Sequence, residues 1–180
     1  LYALALSVIL HFMLPRTHPR PILREFETDA EQALEVLLSS HNSGVVYPAF
    51  ETPQLAIVTC MDFRISLKLP ERFAFVLRTG GANVRPIESY LAFSVARTGI
   101  HAIAIIGHTD CAMEKPDPYV VDSLPTSEEM RAHYRSQIAA LAIRDARTYT
   151  LEQTERLEME MGLPVIPLLY DVDTHLLERL

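Results

Sequence analysis

The only two cysteines of the chain, Cys60 and Cys111, each stand in a cluster of reactive side chains. Cys60 opens the run Cys60-Met61-Asp62-Phe63-Arg64, and Cys111 closes His108-Thr109-Asp110-Cys111. Two thiolates and an imidazole form a donor set that suits zinc, which is borderline soft and takes sulfur and nitrogen ligands tetrahedrally. Three protein ligands, Cys60, His108 and Cys111, would leave a fourth corner for an exchangeable water, which distinguishes a catalytic site from a closed structural one. Two other readings stay open at this level. One is a Cys60–Cys111 disulfide, which leaves His108 unexplained; the other is a pair of inert core thiols. Asp62 and Arg64 taken alone would be a surface ion pair worth about 0 to 1 kcal/mol.

Each cluster follows a short apolar run. Leu55 to Thr59 leads into Cys60, and Ala102 to Ile106 leads into Gly107-His108; Phe73 to Leu77 has the same character. Continuous apolar runs rich in β-branched residues are expected of strands buried on both faces of a parallel sheet. In such sheets ligands bind beyond the carboxyl ends of the strands, where strand order reverses. If the first and third of these strands are neighbours, about 4.8 Å apart, the three donors converge.

Helices are expected between and around these strands. Thr28 and Glu31 form a capping box before Ala30, Ala33, Leu34, Leu37 and Leu38, which predicts a helix over about 28–40 that stops near His41-Asn42-Ser43-Gly44. Pro86 to Thr98 carries Ile87, Tyr90, Leu91 and Val95 on one face, with Gly99 just past its end. Thr126 with Glu129 opens a helix bearing Met130, Tyr134, Ile138 and Leu141, and Thr150 with Gln153 precedes a mostly charged segment ending at Gly162. Val165 to Val172 offers a last strand, which Pro164 and Pro167 assign to a sheet edge. The fold class that follows is α/β: a single domain with a mainly parallel β-sheet flanked by helices.

The chain's 180 residues suffice for one domain with a sizeable core. With 49% hydrophobic and 22% charged residues it has the composition of a folded globular protein. The 16 Lys and Arg against 23 Asp and Glu give a net charge of −7, and no basic run occurs, so nucleic acid is excluded as a partner. Neither a dinucleotide fingerprint nor a phosphate-binding G-K-[ST] loop is found. Residues 1–21 divide into an apolar arm, Leu1 to Leu14, and a Pro-rich linker, leaving 22–180 as the zinc-binding domain. The arm is shorter than the roughly 20 residues of a spanning helix, so packing on the protein or on a partner subunit is favoured over membrane contact, and a cytoplasmic location is expected.

The pattern Cys60-x-Asp62-x-Arg64, the turn Arg78-Thr79-Gly80-Gly81 and His108-x-x-Cys111 after Gly107 resembles, in order and interval, that of the β-class carbonic anhydrases. The resemblance is clear from Leu55 to Met113, with further support from Leu168 to Val172. Three departures stand out. The turn is shortened relative to the family's R-N-A-G-G, Phe63 replaces a commoner small residue, and Ala112 stands where Gly often follows the second Cys.

The resemblance implies a β-carbonic-anhydrase-like fold and reversible hydration of CO2 to bicarbonate by zinc-bound hydroxide. It also implies zinc on Cys60, His108 and Cys111, and an Asp62–Arg64 ion pair beside the metal. There Asp62 would orient the hydroxide; freed from Arg64, it could become a fourth ligand and close the site. Gly80 and Gly81 would border the open position and offer backbone N–H groups to bicarbonate, in a homodimer or higher homo-oligomer. Two thiolates neutralise the dication, so bound water should be less acidic than the pKa of ~7 at an all-imidazole site, and activity should rise through mildly alkaline pH. The competing readings are a hydrolase of CS2 or COS on the same scaffold and a non-catalytic zinc-binding regulatory relative. His41 has proton-shuttle chemistry, but no spacing brings it to the cluster, and it is assigned no role.

Overall fold

The computed structural model describes residues 21–180. The apolar arm and all of the linker before Pro21 lie outside the described residues. Helix α1, Pro21–Ser43, leads to strand β1, Leu55–Cys60, and strand β2, Ala74–Thr79. Helix α2, Glu88–Thr98, precedes strand β3, Ala102–His108. Helices α3, Glu128–Ala140, and α4, Ala146–Met161, precede strands β4, Val165–Tyr170, and β5, Leu177–Arg179. The five strands form one sheet in the order β2-β1-β3-β4-β5, parallel except for the antiparallel β5.

Why the inner strands read as unbroken apolar runs is plain from the packing. In β3, Ala102, Ala104 and Ile106 face a core formed with α1, whereas Ile103 and Ile105 face a second core containing Leu91 of α2 and Leu157 of α4. β1 divides likewise, with Leu55 and Ile57 on the α1 side and Ala56 and Val58 opposite. Every residue of both strands is buried. β1 neighbours β2 on one side and β3 on the other, so strand order reverses beside it, and the ends carrying Cys60 and His108 lie where such sheets bind ligands.

Several expectations shift. α1 begins at Pro21, so Thr28 lies within the helix rather than at its cap. The cap of α3 is Ser127, whose hydroxyl accepts the Met130 N–H at 3.2 Å, and not Thr126. The cap of α4 is Asp145, while Thr150 and Gln153 are buried inside that helix. In α2 it is Leu91 and Ser94 that are buried, and Tyr90 faces outward. α3 buries no residue at all; it packs against the 3₁₀ turn Pro118–Ser123 through Arg135, which pairs with Asp122 and Glu128 and lies over the Tyr119 ring. β4 is not an edge strand. β5 pairs with Leu168 to Tyr170 and leaves Pro167, which has no N–H to give, just beyond that ladder. No helix among the described residues is long and apolar enough to cross a membrane.

Candidate metal centre

Cys60 is the last residue of β1 and His108 the last of β3, and Cys111 follows three residues on. Adjacent strands therefore deliver the two halves of the cluster to one place. The Sγ atoms of Cys60 and Cys111 and a ring nitrogen of His108 all lie within 4.8 Å of one another, and all three residues are buried. Both cysteines are free thiols, which overturns the disulfide reading.

The donor set fits a metal on an independent ground. His108 Nδ1 lies 2.9 Å from the Thr109 carbonyl, a contact that requires the proton on Nδ1 and, in the neutral ring, leaves Nε2 as a bare lone pair. Nε2 is buried without a hydrogen-bond partner, which is costly unless a cation accepts that lone pair. The facing Cys111 thiol lowers Cys60 from its ordinary value against the opposing effect of burial, with His108 and backbone N–H groups assisting. Cys111 is raised, first by the Cys60 thiolate and then by burial. For His108 burial is the largest single effect and opposes protonation, but Cys60, the Thr109 carbonyl and the Asp62 charge together outweigh it and raise the imidazole above its usual value.

Around the donors, backbone and side chains fix the two loops. The Gly81 N–H donates to Cys60 Sγ at 3.2 Å. A Cβ on Gly81, which has φ +66°, would come within 2.8 Å of Ile143 Cδ1, so the turn needs glycine for both conformation and space. Ala82 takes a second left-handed position at φ 55°. Arg78 reaches back from β2 to the carbonyls of Cys60 and Ile65 at 3.1 and 3.0 Å. Gly107 lets α4 approach: a Cβ there would sit 2.5 Å from Thr150 Oγ1 and 3.2 Å from the Ala146 carbonyl. Glu114 caps the Ala146 N–H at 2.9 Å, tying the segment after Cys111 to the same helix.

Asp62 and Arg64 form the expected pair. Arg64 Nε and Nη2 donate to the two Asp62 oxygens at 3.0 and 2.8 Å, and the Arg64 N–H adds a third bond at 2.9 Å. These bonds hold the Asp62 carboxyl down to about 2. The pair rests on a floor that includes Tyr170, whose hydroxyl donates to the Arg64 carbonyl at 3.3 Å. Phe63, between the two, is 94% exposed at the rim. His41 is buried with its ring 5.7 Å from that of Tyr170; it accepts the Lys68 N–H at 3.1 Å and so donates from Nε2 to the His175 carbonyl at 3.0 Å, a structural role.

No protein-family model matches the chain, and no curated protein is similar to it in sequence. Solved structures are similar in fold. A carbonic anhydrase from Glaciozyma antarctica is 22% identical with a TM-score of 0.61 over 83% of this chain and 93% of that one. The β-carbonic anhydrase isoform I of the protozoan Trichomonas vaginalis is 20% identical with a TM-score of 0.62 over 87% and 96% of the two chains. The chain has the β-carbonic anhydrase fold. The apo form of a carbon disulfide hydrolase shares it, at 19% identity and a TM-score of 0.54 over 86% of this chain and 90% of that one.

Within this fold the residues that sequence reasoning singled out fall at one end of β1 and β3, with Gly81 touching Cys60 and Gly80 packed beside Met113. Asp110, Arg78 and Glu114 went unassigned in the sequence. Asp110 was flanked by His108 and Cys111, but its partner, Arg64, lies 46 residues away. Nothing along the chain signals that contact.

Proposed function

We propose that the protein is a zinc-dependent carbonic anhydrase that hydrates CO2 reversibly to bicarbonate. The observation that carries this reading is the convergence of Cys60, Cys111 and the bare, buried His108 Nε2 beside an Asp62 carboxylate fixed by Arg64. Zinc held by those three donors supplies Lewis acidity that makes water a nucleophile near neutral pH. Asp62, ionised throughout the working range, accepts the hydrogen bond of the attacking water and orients its lone pair toward the carbon. Arg64 keeps that carboxylate turned to its task, and the Gly81 N–H braces the Cys60 sulfur. Gly80 and Gly81 border the substrate position, though the Gly81 N–H serves the thiolate rather than bicarbonate.

The functional unit is a homodimer or larger, with residues 22–180 as its catalytic domain. β2 supports this reading: its outer edge has no strand partner among the described residues, and Phe75 and Val76 there are 39% and 41% exposed. The similarity to a carbon disulfide hydrolase favours CS2 and COS as the competing substrates, since small linear molecules are weakly discriminated by an apolar pocket. Stopped-flow assays of all three substrates on zinc-loaded protein, with Asp62→Ala alongside, test the assignment. CO2 hydration that falls about a hundredfold in the variant at unchanged zinc content is expected. A wild type inert toward CO2 but active on CS2 or COS, or inert toward all three, contradicts it.

A further inference from the structure

Arg64 has three side-chain nitrogens, and all of them are engaged. Nε and Nη2 hold Asp62, while Nη1 donates to Asp110 Oδ2 at 2.7 Å and Nη2 also donates to the Asp110 carbonyl at 3.0 Å. Asp62 belongs to the loop after β1, and Asp110 lies in the loop after β3, between His108 and Cys111. One guanidinium therefore ties together the two loops that carry the donor atoms. Asp110 has φ 55°, a left-handed position that Asp, Asn and Gly tolerate far better than other residues. A guanidinium gripped on two sides cannot swing away from Asp62 without giving up a charge-assisted bond on the other.

We infer that Asp110 is a positioning residue: by anchoring Arg64 from the loop between His108 and Cys111, it holds Asp62 off the metal. This inference rests on the reading of Cys60, His108 and Cys111 as zinc ligands, and not on which substrate the site turns over. If Asp110 is removed, Arg64 loosens, Asp62 gains freedom to join the donor set as a fourth protein ligand, and zinc binds more tightly. A residue whose only work was to shape its loop would have the opposite effect, because disorder between two ligands weakens binding. The sign of the change separates the two.

The test is a chelator-competition titration of zinc on the metal-free full chain, comparing wild type, Asp110→Gly, Asp62→Asn and the double variant. Glycine keeps the left-handed backbone while deleting the carboxylate. The expected result is a Kd lower by about tenfold in Asp110→Gly and no decrease when the same change is made on Asp62→Asn. An unchanged or higher Kd in Asp110→Gly, or an equal decrease in both backgrounds, overturns the inference. A second readout needs no metal: NMR of the Arg64 guanidinium should show slow Nη rotation in wild type and faster rotation in Asp110→Gly, and equal rates overturn it. Lack of CO2 hydration by the wild type would remove the proposed activity while leaving the zinc pattern intact, so the two failures are distinguishable.

Discussion

At Asp62 the structure turns two loops into chemistry, because the carboxylate is held in place by the side chain two residues away. The hydrogen bonds from Arg64 lower its pKa from 3.8 to about 2, so the folded state binds a proton there less readily than the unfolded chain does. The stabilisation this brings is fully present above the unfolded value of about 3.9 and is lost as pH falls through about 2. Urea unfolding of metal-free wild type and Asp62→Asn should accordingly differ by a constant amount from about pH 6 down to about pH 5, then converge as the solution is acidified. A difference that widens on acidification would contradict the pairing. Cys60, His108 and Cys111 stood out in the sequence by type and short spacing, whereas the Asp62–Arg64 pair was suggested by the resemblance to the β-class carbonic anhydrases. The roles of Asp110 and Arg78 were not legible there, since each acts through a contact between loops that only the sheet brings together.

The strands were the most legible elements. β1 and β3 announce themselves as apolar runs because both faces of each are covered, and their ends match expectation to within two residues. Helix starts were less so. Thr126 and Ser127 are both good caps by type, and only the backbone geometry decides for Ser127. Thr150 resembles a cap yet lies one turn inside α4, where its hydroxyl packs over Gly107. That packing makes a prediction at the element scale. Gly107→Ala forces a methyl against Thr150 and the Ala146 carbonyl, so α4 must shift from the strand that carries His108. Denaturant unfolding should show a loss of about 1 to 3 kcal/mol, accompanied by weaker metal uptake. Unchanged stability would mean that α4 does not bear on the end of β3 as described.

Across the molecule, a parallel sheet with its strand order reversing at β1 brings the reactive side chains of two distant motifs together at the strand ends. The apolar residues left outside the two cores are equally informative. The edge of β2, which has no strand partner among the described residues and leaves Phe75 and Val76 half-exposed, is the kind of edge that proteins protect with a charge or cover with a partner. Val76→Lys should therefore lower the mass measured by light scattering from that of an oligomer to that of one chain; an unchanged mass would assign the interface to another surface. The most direct measurement of the central claim is zinc-edge X-ray absorption on the purified protein alongside its metal content. Two sulfurs at about 2.3 Å and two lighter atoms at about 2.0 to 2.1 Å are expected at one zinc per chain. A zinc shell without sulfur, or a protein that binds no zinc and joins Cys60 to Cys111, would contradict the account.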